Sequence, residues 1–294
     1  MSKQYPQIAA MLFASEWAIL PSKLETMIAA FDSRAAGGAL GPEELAAIVG
    51  QDARPEPQSP KKVAVVPLFG AIVQHAGMVT ERSGGTSAES FASTITRASM
   101  DPEIGSIVIH ANSPGGSTYG IEEAANAVYA ARQRKPVYTA VNSVAASAGY
   151  WIASQADQIY ITPGGEVGSI GIVSVHRAPG ADEMASTTIV ATPAAKGMGW
   201  GPMSDELRAE IEQRHANKYA KFVGAVARGR RTTTERASSE AFGGGRMVLA
   251  EDAVKAGMAD GVATVGEVIR MAIDRIGAGR TMANANRIKL AEAQ

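Results

Sequence analysis

From residue 63 onward, short apolar runs rich in β-branched residues alternate with segments of helical periodicity. The runs are VAVVPLFG (63–70), SIVIHAN (106–112), PVYTAV (136–141) and QIYIT (158–162). Between them lie SAESFASTITRASM (87–100), YGIEEAANAVYAARQR (119–134) and AGYWIASQA (148–156). In the second of these helices Ile121, Ala125, Val128 and Tyr129 fall on one face. Apolar strands separated by helices over short links pair in parallel through crossover units, so the expected fold class is α/β, built on βαβ units. Further on, VGSIGIVSV (167–175) and STTIVA (186–191) read as strands. A long helix over 204–228 carries the stripe Leu207, Ile211, His215, Tyr219, Phe222, Val223 and Val226, with His215 read as packing. LAEDAVKAGMADGVATVGEVIRMAID (249–274) then predicts helix, turn, strand and helix.

Upstream the pattern differs. YPQIAAMLF, SKLETMIAAF and PEELAAIV are short periodic pieces broken by Pro and Gly, which predicts a helical segment over 1–50. QDARPEPQSPKK (51–62) reads as a Pro-rich linker. The expected division is therefore a helical segment 1–50, the linker 51–62, an α/β domain 63–278 and a polar tail 279–294.

Composition removes several classes of function. The chain has 294 residues and a net charge of −1, so bulk charge points to neither nucleic acid nor a membrane surface. It has no cysteine, which excludes disulfides, thiolate metal sites and a cysteine nucleophile. His75, His110, His176 and His215 are the only histidines, and none shares a metal-ligand spacing with another. No metal or cofactor is expected. The apolar run IAAMLFA (8–14) is too short to span a bilayer, and Glu16 follows it closely, which argues against a signal peptide. The expectation is a cytoplasmic protein without membrane insertion.

Two junctions carry chemical content. In IHANSPGGSTYG (109–120) a strand runs into Pro114-Gly115-Gly116. Two glycines before a helix leave N–H groups uncovered, which suits an anion, although a plain turn has the same composition. In NSVAASAGYW (142–151) Ser147 stands at a strand-to-helix turn among Ala145, Ala146, Ala148 and Gly149. It is either a helix cap or a nucleophile whose small neighbours let a peptide backbone approach. The surroundings are not the GxSxG elbow, because position 145 is Ala. Both junctions lie at the C-terminal ends of adjacent expected strands, the ligand edge of a parallel sheet. A serine nucleophile needs a base. His176 and Lys196 both follow, and Lys196 is the only charged residue between 184 and 204. An apolar setting of that kind lowers a lysine pKa. The basic stretch 214–236 reads as a solvated face.

Taken in order, VAVVPLFGAI, IVIHANSPGGS, KPVYTAVNSVAASAGYWIASQADQIYITPGGEVGSIGI, Lys196 and EDAVKAGMADGV resemble the signal peptide peptidase A family of Ser/Lys peptidases. The resemblance covers roughly residues 63–270 and is strongest to the phage and prophage head (capsid) maturation proteases. It implies a Clp/crotonase-like α/β fold of repeated ββα/βαβ units. It implies Ser147 as nucleophile, Lys196 as general base and Ser169 as the hydroxyl that orients the lysine. Backbone N–H groups of Gly115 or Gly116 and of Ala148 would form the oxyanion hole. Gly168, Ile170, Gly171 and Ser117 would line the peptide. The implied partners are capsid or scaffold proteins as substrates and further copies of the chain in a closed homo-oligomer, inside assembling proheads in the host cytoplasm. Alternatives on the same fold are a Clp-like Ser-His peptidase using His176, a cellular signal-peptide or quality-control peptidase, acyl-CoA chemistry without a serine nucleophile, and a catalytically silent capsid-assembly module.

Overall fold

A computed structural model describes residues 16–35, 63–75, 84–176 and 204–276. The expected base Lys196, the expected strand 186–191, the linker 51–62 and the tail 279–294 lie outside the described residues.

The first elements are β1 (Glu16–Ile19) and α1 (Pro21–Ala35), followed by β2 (Val63–Phe69), β3 (Ile72–Val73) and β4 (Thr86–Ser87). Then come α2 (Ala88–Met100), β5 (Ser106–Ser113), β6 (Gly115–Ser117), α3 (Ile121–Ala131), β7 (Val137–Ala146) and α4 (Ala148–Ala153). The chain continues through β8 (Gln158–Ile161), β9 (Glu166–Gly168), β10 (Val173–Ser174) and the long α5 (Asp205–Arg230). It closes with α6 (Thr234–Ala237), β11 (Met247–Leu249), α7 (Ala250–Ala256), β12 (Gly261–Val262) and a helix α8 over 265–276.

The expected α/β architecture with parallel strands is present. β2, β5 and β7 run parallel, with β5 in the middle, and Val63 to Phe69 pair in continuous register with Ser106 to Asn112. Side chains alternate across this sheet. Ile107, Ile109 and Ala111 enter the main core with Phe91 and Ile95 of α2 and Val128 of α3. Val108, Tyr138 and Ala140 face a smaller cluster capped by Val268 and Ala272 of α8. Helices therefore cover both faces, as a parallel sheet requires. Among the described residues no helix is long and apolar enough to cross a membrane.

Beyond Val141 the strand β7 gains residues relative to β5, a bulge that separates its two halves. The first half, Tyr138 to Val141, pairs with β8; the second, Val144 to Ala146, pairs with β9. This change of partner carries the chain past the sheet edge and delivers Ser147 beyond it.

Two readings of the sequence need correction. Residues 16–19, expected within a helical segment, are a strand. It lies in a second sheet ordered β10-β1-β6-β3-β4, between β10 and β6 and antiparallel to both. The Gly115-Gly116 pair, expected as a turn leading into a helix, is instead part of a short strand, and α3 follows at Ile121 after the left-handed Gly120.

Candidate active site

Ser147 connects β7 to α4 with φ +51° and ψ −118°. That conformation is costly for a residue with a Cβ, on the order of 1–3 kcal/mol. Its side chain makes no capping bond to α4, so the helix-cap reading fails. Instead the backbone N–H donates to the Gly168 carbonyl at 2.7 Å, and the hydroxyl points to the Gly171 carbonyl at 3.5 Å. The residue is 1% exposed. The turn thus has the strained strand-to-helix geometry of a nucleophile elbow without that motif's sequence.

The support beneath it is close-packed. Gly149 leaves room for Ser113: a Cβ there would lie 3.2 Å from the Ser113 Cβ. Tyr150 is fully buried, donates to the Met258 carbonyl at 2.9 Å, and its phenol pKa is pushed up by burial. Trp151 stacks on Phe222 of α5, centroids 4.6 Å apart and 9° from parallel. These contacts hold the first turn of α4 rigid below Ser147.

One wall comes from β9 and the turn after it. Gly168 has φ +130°, and a Cβ there would meet the Arg246 carbonyl at 2.5 Å. Ser169 follows at φ +51° with its N–H on the Arg246 carbonyl at 2.9 Å, and it is buried. Ile170 is buried, whereas nothing lies within 4 Å of a Cβ built on Gly171. A cleft of about 500 Å³ opens here between Ile170, Gly171 and Ile172 on one side and His215 and Tyr219 on the other.

The opposite wall is β6. Gly115 has φ +104°, and a Cβ added to it would fall 2.2 Å from the Ala18 carbonyl and 3.1 Å from that of Ala146. Gly116 is tighter, with only 1.9 Å to the Ile72 carbonyl. The structure therefore brings Ser147, Ala148, Gly115, Gly116, Ser117, Gly168, Ser169, Ile170 and Gly171 to one end of the sheet. It does not leave the glycine amides bare. The Gly115 N–H donates to Ser113 Oγ at 3.2 Å, and Gly115, Gly116 and Ser117 face Ile19, Ala18 and Trp17 of β1.

His176 is not placed on Ser147. Its Nε2 meets Ser174 Oγ at 2.8 Å, and His215 Nε2 reaches the same hydroxyl at 2.9 Å. Burial, as the leading cause, lowers the pKa of both rings. His215 is thus a hydrogen-bonding partner of β10 rather than apolar packing. Reading the sequence missed this trio and also missed β1. No local pattern announces either, because both arise from pairings between distant segments.

A scan of the chain against known families matches Peptidase family S49 over residues 129–278. Protease 4 of Salmonella typhi is 30% identical over 217 residues, 72% of this chain and 34% of that protein. The head-tail preconnector protein GP5 of Enterobacteria phage P21 is 28% identical over 66% of this chain and 41% of its own length. The capsid assembly protease C of Escherichia phage lambda is 27% identical over 52% of this chain and 36% of its own. The chain spans between about a third and two fifths of these relatives. Because the family pattern runs from the end of α3 through the Ser147 turn to the last described helix, half of the sequence, this chain belongs to peptidase family S49.

Proposed function

We propose that the protein is a serine endopeptidase in which Ser147 is the nucleophile and Lys196 the general base, on a Clp/crotonase-like fold. The observation that carries this reading is the Ser147 turn: a buried hydroxyl on a strained backbone, free of any capping duty, at the ligand edge of a parallel sheet. The extended peptide would lie as a strand between Gly115–Ser117 and the Gly168–Ser174 wall. Neutral Lys196 takes the hydroxyl proton as Oγ attacks the scissile carbonyl carbon. The Ala148 amide, with that of Gly116, or of Gly115 once it is released from Ser113 Oγ, receives the oxyanion; one such donor is worth roughly 3 kcal/mol. The lysine ammonium then protonates the leaving amine, and water hydrolyses the acyl-enzyme. Ser169, buried between Gly168 and Ile170, orients the lysine amine. Since the base must be uncharged, activity rises toward alkaline pH.

The proposed substrates are capsid or scaffold proteins during phage head assembly, a reading supported by the two phage relatives. The test is intact-mass detection of cleavage together with fluorophosphonate labelling. Ser147→Ala and Lys196→Ala should each abolish cleavage with the fold retained. Loss of activity in His176→Ala but not in Lys196→Ala would overturn the assignment of the base.

A further inference from the structure

We infer that β1 is an internal occupant of the peptide groove, so that the chain as folded is a latent enzyme whose site opens when Glu16–Ile19 leaves. The inference rests on Ser147 as the nucleophile of that groove.

The groove is one strand wide. β6 has β3 on its outer side, and its other edge faces β1. β10 pairs, among the described residues, with β1 alone. With β1 removed, two strand edges would face each other across the gap that one extended chain fills. A peptide bound by strand addition needs these same edges. Both are taken: Trp17, Ala18 and Ile19 sit opposite Ser117, Gly116 and Gly115, while Glu16 and Trp17 sit opposite Ser174 and Val173. The reactive turn stands at the Ile19 end of the groove. Gly115, the partner of Ile19, abuts the Ala146 carbonyl, and the Ser147 hydroxyl points to Gly171, two residues before β10. Occupation by β1 and by substrate is therefore mutually exclusive.

The attachments of β1 are separable from the rest of the molecule. Trp17 and Ile19 are buried with Leu24 of α1 in a cluster of their own, against Ala71, Val173 and Val175. Only Ala18 reaches the main core. At the other end the Glu16 carboxylate is bound by Lys218, with Arg214 at 3.6 Å, and the Glu16 carbonyl accepts from the Thr118 N–H at 3.1 Å. Both cations lie near the middle of α5, Arg214 exposed and Lys218 partly buried. Departure of β1 and α1 would thus uncover the small cluster and free one carboxylate while leaving the parallel sheet intact. The same register states what a competing peptide must offer: an acidic side chain opposite Ser174, to meet Lys218 and Arg214.

A reversible lock tests this on the full chain. Glu16 and Ser174 are directly opposite on antiparallel strands, and the chain has no cysteine of its own. The pair Glu16→Cys/Ser174→Cys would therefore form one defined cross-strand disulfide. Ser147 is then titrated with two reagents: a small alkyl fluorophosphonate, which needs no groove, and a tetra-alanyl diphenyl phosphonate, which does. The expected result is that oxidation slows labelling by the peptidyl reagent at least tenfold, dithiothreitol restores it, and labelling by the small reagent is unchanged. In the otherwise native chain, Trp17→Asp, which puts a charge where β1 is buried, should speed peptidyl labelling by a similar factor. Equal peptidyl rates in the oxidised and reduced forms, with no gain in Trp17→Asp, would overturn the inference. Failure of the small reagent to label Ser147 in any form would overturn the nucleophile assignment itself.

Discussion

Four non-glycine residues among those described have positive φ, and three are serines: Ser147 and Ser169 beside the cleft, and Ser143 at the irregular stretch of β7, where its N–H donates to Thr162 Oγ1 at 3.1 Å. A sequence reader sees the small residues around Ser147 and infers room for a backbone. The torsion angle, which distinguishes an elbow from a cap, is not written in residue types. Its energetic consequence is testable. Ser147→Gly relieves the strain that Ser147→Ala keeps, so in urea denaturation the glycine variant should be more stable than the alanine variant by about 1 kcal/mol, with neither labelled by fluorophosphonate. The glycines of the walls show the converse. At Gly116 an added methyl would overlap the Ile72 carbonyl, a backbone atom that cannot swing away. Gly116→Ala should lose about 2–4 kcal/mol, whereas Gly171→Ala, with open space around it, should unfold at the native midpoint. Lys196 is legible only as an isolated charge in an apolar stretch, and the proposal for its role rests on that setting and on the resemblance.

At the level of elements, the parallel strands are the most legible part of the chain. β2, β5, β7 and β8 lie in a sheet covered on both faces, so each appears as a largely continuous apolar run that few other structures produce. β1 and β6 are hidden for opposite reasons. EWAI sits between stretches of helical periodicity, and GGS has the composition of a turn. Each is a strand because of its partners, and β1 finds those partners at 115–117 and 173–174, far along the chain. The apolar stripe of α5 announces a helix, but its function as a clamp is not visible there. A Cβ on Gly229 would lie 2.1 Å from the Ser154 carbonyl, so α5 crosses close to the end of α4. Gln155 of the loop after α4 ties the two together: its Nε2 donates to the Ala225 carbonyl at 2.9 Å, and its Oε1 accepts from Arg228 at 2.9 Å. Removing the ring that stacks on Trp151, Phe222→Ala, should cost about 3–5 kcal/mol in denaturant and shift the Trp151 emission.

For the whole molecule, the acid sensitivity of the fold should have one identifiable source at the second sheet. His176 and His215 converge on Ser174 from β10 and α5, with Arg214, Lys218 and Glu16 nearby. Burial holds both rings below their ordinary pKa, so the folded state binds their protons less readily than the unfolded chain does. Stability from the neutral rings is present above the unfolded value of about 6.5 and is lost as the pH falls through the lowered folded values. The thermal midpoint should drop between pH 8 and pH 5, and more gently in His215→Gln, where one of the two charges cannot form. The order of synthesis adds a further consequence. β1 leaves the ribosome before its partner β10, which follows more than 150 residues later. At about 5–20 residues per second that interval is on the order of ten seconds or more. For that time Trp17 and Ile19 are an apolar segment in search of a surface. A strand that must wait this long for its slot is one a chaperone can hold, or a neighbouring copy can accept, before its own chain closes around it.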